Sequence, residues 1–212
     1  LSAHACVRDE GVSAIEKWAV LHRGLLMFEA RRNAAIDDPL YAAIVNKVPL
    51  NVGTVRSGSW PSSVPEWLVA EGRAGMVPGE TLAEFKRDFE AEVAAIATTD
   101  PLLRDQPPVV EWLGGQFAPA GIAVDHLLVR SVAAAHRVID GRPAAVEAVT
   151  YGADMRHFVV TGGIPCVMYG AGDVRLAHAP DEHIVLSELA AATATVALAA
   201  AEWCGVRDTA IG

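Results

Sequence analysis

The chain has 212 residues, of which 52% are apolar, and a formal net charge of −9. That apolar content supports packed domains and excludes a globally disordered chain, while the acidic balance argues against nucleic acid or an anionic membrane as partner. The three cysteines, Cys6, Cys166 and Cys204, are too sparse for a disulfide framework and unsuitably spaced for a structural zinc site, which points to a reducing cytoplasm.

In chain order, Gly11 to Arg32 predicts a helix with Val12, Ile15, Ala19 and Leu26 on its apolar face. Leu50 to Arg56 is rich in β-branched residues and predicts a strand. Ser57-Gly-Ser-Trp-Pro-Ser-Ser63 is a loop by its Gly, Pro and Ser content, and Trp67 to Gly75 is the returning strand of a hairpin, stopped at Pro78-Gly79. Thr81 is placed to cap a helix carrying Leu82, Phe85, Phe89, Val93 and Ile96. Val109 to Leu113 predicts a further short strand after Pro107-Pro108. Helix, strand, strand, helix, strand is a ferredoxin-like α+β order lacking its first strand.

Beyond Gly114-Gly115 the pattern changes, which divides the chain into residues 1–115 and 116–212. Asp125 to Ile139 predicts an amphipathic helix, Ala145 to Val149 a strand, Asp154 to Val160 a short helix and Pro165 to Tyr169 a buried strand. Ser187 is placed to cap a long Ala-rich helix ending at Gly205. Strand–helix alternation of this kind predicts an α/β layer. The run Leu189 to Ala201 is too short to span a bilayer. Cys166 and Cys204 read as small buried hydrophobes.

Three groups of residues carry a resemblance when taken together. The first is Ala3-His4-Ala5 with Glu10-Gly11-Val12 and Ala14-Ile15-Glu16. The second is Leu50-Asn-Val-Gly-Thr54 with Gly58, Pro65, Arg73 and Pro78-Gly-Glu80. The third is Gly152-Ala-Asp-Met-Arg156 with Ala177-His-Ala-Pro-Asp-Glu182. The set resembles the metal-dependent amidohydrolase/peptidase family of acetylornithine deacetylases and succinyl-diaminopimelate desuccinylases. The resemblance implies a lid and dimerisation domain in the first part, then the C-terminal part of a catalytic domain. It also implies a missing amino-terminal catalytic half. Two divalent ions (zinc first, cobalt or manganese as alternatives) would lower the pKa of water and polarise an amide carbonyl, with a glutamate moving the proton. The family's His-x-Asp and Glu-Glu motifs are absent from this sequence, so the chain by itself is expected to be inactive.

For single residues the resemblance implies particular roles, and each has a plainer alternative. His178 would bind metal; otherwise it is a turn histidine. His4 would reach the partner subunit's site and donate to the developing oxyanion; otherwise it is a surface histidine at a strand end. Arg73 and Arg156 would hold a substrate carboxylate, a task suited to the guanidinium fork; otherwise they are solvated or locally paired. Asp154 is either a site residue or a helix N-cap, and Gly152 permits a tight turn. Ser62 stands where many relatives carry an asparagine, which changes the polar contact offered to substrate. The expected whole is a homodimer in the cytoplasm acting on an N-acyl amino acid or diamino acid. A non-catalytic dimerisation module, or a dipeptidase or aminoacylase of the same family, is the rival expectation.

Overall fold

The computed structural model describes residues 1–206. They form two compact units. The first comprises Leu1–Pro119 with Glu147–Gly152, and the second Ala120–Val146 with the residues from Ala153 onward. Among the described residues no helix is long and apolar enough to cross a membrane.

The first unit opens with a 3-10 turn, Ala5–Glu10, followed by helix α1, Ala14–Ala35, whose N-cap Ser13 accepts the Glu16 amide. Strands β1, Leu50–Ser57, and β2, Leu68–Ala74, form the antiparallel hairpin the sequence predicts. Leu50 pairs with Ala74 and Ser57 with Leu68, with a register irregularity between Val52 and Thr54. At Gly72 a Cβ would lie 2.2 Å from the Asn51 carbonyl oxygen, so only glycine allows the strands this close. Helix α2, Leu82–Ala97, starts in a capping box: Thr81 Oγ1 accepts the Glu84 amide, and Glu84 accepts the Thr81 amide. A short helix α3, Pro101–Asp105, follows, capped by Asp100.

The core of this unit is the α1–α2–α3 contact, built by Leu21, Leu25, Val93, Ile96, Ala97 and Leu103. The buried stripe of α1 therefore differs from the expected one, since Ile15 is 53% and Leu26 45% exposed. The middle of α1 is apolar on several faces, and steric fit selects among them. A Cβ on Gly24 would come within 2.5 Å of the Ile96 side chain, so the glycine face is the one α2 can approach. Arg32 locks the arrangement. Its guanidinium lies over the Phe28 and Phe85 rings, donates to the Gly75 carbonyl at 2.7 Å and pairs with Glu80 at 2.6 Å.

The second unit is built on helices α4, Leu127–Asp140, and α5, Leu186–Cys204. They meet through small residues: Ala135 and Thr195 are fully buried, and the Thr195 hydroxyl is satisfied by the Ala191 carbonyl at 2.9 Å. His136 on α4 holds the Tyr169 hydroxyl at 2.8 Å, tying the segment around 165–169 to that helix.

Several sequence expectations fail here for stated reasons. Residues 109–113, 145–149 and 165–169 are irregular rather than strands, because a strand requires a neighbour to complete its ladder and none pairs with them among the described residues. Residues 109–113 are held by side chains instead: Trp112 Nε1 donates to Glu90 at 2.6 Å and its ring meets Phe85 and Phe89. The helix expected over 154–160 is realised as a π-helical turn, His157–Thr161. Ser187 lies inside α5, whose N-cap is Val185 without a side-chain cap. Cys204 is exposed rather than buried, and Cys166 is half-buried.

Candidate functional site

The residues singled out from sequence fall into two groups. His4, Ser62, Arg73 and Gly152 belong to the first unit; Asp154, Arg156 and His178 belong to the second.

In the first unit the backbone brings His4 beside the β1–β2 loop. His4 and Ser63 form an antiparallel bridge, the Ala5 amide donates to the Ser62 carbonyl at 2.8 Å, and Val64 donates to Ala3 at 2.8 Å. His4 is exposed with an extended backbone, and it caps the 3-10 turn that follows by accepting the Cys6 amide on Nδ1. The backbone thus brings Ser62, through its carbonyl, onto the residue that follows His4. The loop is kept in shape by Ser63, whose amide and hydroxyl both donate to the Trp60 carbonyl. Arg73 leaves β2 and donates from Nη2 to the Thr150 carbonyl at 2.9 Å, two residues before Gly152. At Gly152 a Cβ would lie 2.9 Å from the Phe117 ring, which explains the glycine by close packing rather than by turn geometry.

In the second unit Arg156 is largely buried and donates to the Ala153 carbonyl at 3.0 Å. The Asp154 carboxylate lies 3.7 Å from the Arg156 guanidinium and 4.0 Å from His157 Nε2. It is thus an exposed counter-charge to Arg156. His178 has φ of 62° and is the sole non-glycine residue at positive φ among the described residues. Its amide donates to Glu182 Oε2 at 3.2 Å. A histidine held in the left-handed region costs conformational energy, and such outliers gather at functional turns. The same turn contains Asp173, whose carboxyl the Arg175 guanidinium and amide hold down at about 2.

Sequence reasoning missed Cys6, Thr150 and Glu182 as partners of these residues. The signal for Cys6 was present, because an N-cap side chain takes an amide two residues on. The other two contacts depend on chain return and could not be read locally.

Among the described residues no group of three or more His, Cys, Asp or Glu side chains could hold a metal ion. His178 stands as one imidazole where catalytic zinc takes about three protein ligands. The described residues therefore do not fit a complete two-metal centre.

Comparison with known proteins supplies the kinship. Two curated relatives are each named N-formyl-4-amino-5-aminomethyl-2-methylpyrimidine deformylase. That of Halalkalibacterium halodurans is 26% identical over 220 residues, covering 96% of this chain and 49% of the relative. That of Bacillus subtilis is 26% identical over 214 residues, covering 95% of this chain and 48% of the relative. The chain thus spans about half the length of the curated relatives it matches. The family model described as peptidase family M20/M25/M40, whose members are generally metal-dependent, matches residues 21–202. With most of its length under that match, the chain belongs to peptidase family M20/M25/M40.

Proposed function

We propose that this chain serves an amide hydrolase that removes a small acyl group from a primary amine. The observation that carries this reading is the match of two deformylases across nearly the whole chain, inside a hydrolase family. Both an N-formyl aminomethylpyrimidine and an N-acyl amino acid present the same reacting group, an acyl carbon bonded to nitrogen. The relatives' names favour the formyl substrate; the resemblance to deacetylases and desuccinylases favours the amino acid. We place the formyl-amine reading first, because the deformylases align over 95–96% of this chain.

In this reading the first unit supplies the lid, with a ferredoxin-like arrangement and a homodimer contact, and the protein works in the cytoplasm. His4 donates a hydrogen bond from an imidazole N–H to the oxyanion that forms when the carbonyl is attacked, a contribution worth about 2.7–4 kcal/mol for comparable donors. Ser62 lies beside it to orient the substrate's polar groups. Arg156 and Arg73 offer guanidinium edges to an anionic or acceptor-rich substrate. His178 would be one protein ligand to a divalent metal, zinc before cobalt or manganese. A non-catalytic dimerisation role is the rival, favoured by the absence of a three-donor group among the described residues.

The test is a substrate panel on the natural gene product. N-formyl-4-amino-5-aminomethyl-2-methylpyrimidine, N-acetylornithine and N-succinyl-diaminopimelate are supplied with zinc, cobalt or manganese. Metal-dependent release of formate, exceeding release of acetate or succinate, is expected. Absence of all three products with every metal would leave the dimerisation module.

A further inference from the structure

Two donors converge on one nitrogen of His4. The Cys6 amide lies 3.2 Å from Nδ1, and Cys6 Sγ lies 3.0 Å from the same atom. A backbone amide can only donate, so in the neutral ring Nδ1 accepts and the proton resides on Nε2. The thiol adds a weak S–H donor to the same acceptor. We infer that Cys6 is the positioning residue that fixes neutral His4 as its Nε2–H tautomer. The contact that caps the 3-10 turn Ala5–Glu10 therefore also sets which edge of the exposed imidazole can donate.

The use of that proton rests on the proposed role of His4 toward an oxyanion; the tautomer itself does not. An imidazole free to choose would split between two tautomers, and part of the population would carry no donor at Nε2. Anchoring through Nδ1 removes that loss before substrate arrives, which is preorganisation of a donor.

Two other histidines give internal references. His126 caps α4 by accepting the Leu128 amide on Nδ1 at 3.1 Å, so it carries the same tautomer. His183 Nδ1 lies 2.6 Å from the Asp181 carbonyl oxygen, which can only accept, so it carries the opposite one.

The experiment is long-range proton–nitrogen NMR of the nitrogen-15-labelled chain at about pH 8, above the ordinary imidazole range. Signals are assigned with His4→Gln, His126→Gln and His183→Gln. His4 and His126 are expected to show the Nε2–H pattern and His183 the Nδ1–H pattern. Cys6→Ser and Cys6→Ala keep the amide and keep the pattern. Cys6→Pro removes amide and thiol together and gives an average of both tautomers. An Nδ1–H pattern at His4 in the unmodified chain overturns the inference, whatever the variants do. So does an unchanged Nε2–H pattern in a Cys6→Pro chain that remains folded. Since no turnover is read, failure of the amide-hydrolase reading would leave this result standing, and the reverse.

Discussion

At the scale of single residues, His178 holds the clearest tension between conformation and chemistry. Its φ of 62° suits glycine, yet an imidazole stands there, with its amide held by Glu182. Replacing it separates the two demands. His178→Ala and His178→Gly both remove the ring, but alanine still bears the left-handed conformation and glycine does not. His178→Gly is therefore expected to be more stable than His178→Ala by about 1 kcal/mol, after allowing for glycine's looser unfolded chain. Denaturant midpoints of the two variants check this. An alanine variant equal to or more stable than the glycine variant would show the turn to be unstrained.

The neighbouring Asp173 gives a pH prediction. Its hydrogen bonds from Arg175 hold the carboxyl at about 2, below the ordinary 3.8. A lowered folded-state value means stabilisation is present above the unfolded value and lost as pH falls through the folded one. The turn should thus be insensitive above about pH 4 and loosen between about 4 and 2. Arg175→Ala should return the carboxyl to the ordinary range, as read from its carbon-13 titration. A midpoint that stays near 2 in that variant would exclude the guanidinium as cause.

At the scale of elements, legibility followed locality. Helix α2 was readable because cap and period lie within one stretch; Thr81 caps it as expected, and Glu84 completes a capping box that sequence reasoning missed. The hydrogen bond from Thr81 also draws the Glu84 carboxyl below its ordinary value. Thr81→Ala should cost about 1 kcal/mol in urea unfolding; a change under a few tenths would mean that water caps the helix equally well. The hairpin was readable too, since a loop rich in Gly, Pro and Ser follows a β-branched run and the chain then returns. The segments 109–113, 145–149 and 165–169 were misread because local composition cannot say whether a ladder partner exists. The buried face of α1 was misread for a related reason. Several apolar stripes compete, and the choice depends on Gly24 meeting Ile96. Gly24→Ala should destabilise by about 1–3 kcal/mol through overpacking. Combining it with Ile96→Val should recover part of that loss. Strict additivity of the two would place the contact elsewhere.

At the scale of the whole molecule, the family was legible and the chemistry only partly so. The family model matches residues 21–202, a span that includes Ser62, Arg156 and His178 but not His4. The substrate of the proposed amide hydrolysis was not legible, because specificity depends on side chains converging from distant stretches. The metal question belongs at this scale as well. A lone imidazole binds zinc weakly, whereas a catalytic centre gathers about three protein ligands and a water. Among the described residues His178 has no two further His, Cys, Asp or Glu side chains grouped with it for a metal. The chain by itself is therefore expected to bind zinc weakly, and His178→Ala is expected to change that binding little. Equilibrium dialysis against zinc, with cobalt spectra as an independent view of the ligand field, measures both. Tight binding of two ions per chain, abolished by His178→Ala, would show a donor set that the described residues do not assemble. Weak binding in the chain together with two tightly held ions in the natural gene product would place the remaining ligands outside the described residues, with His178 completing the set.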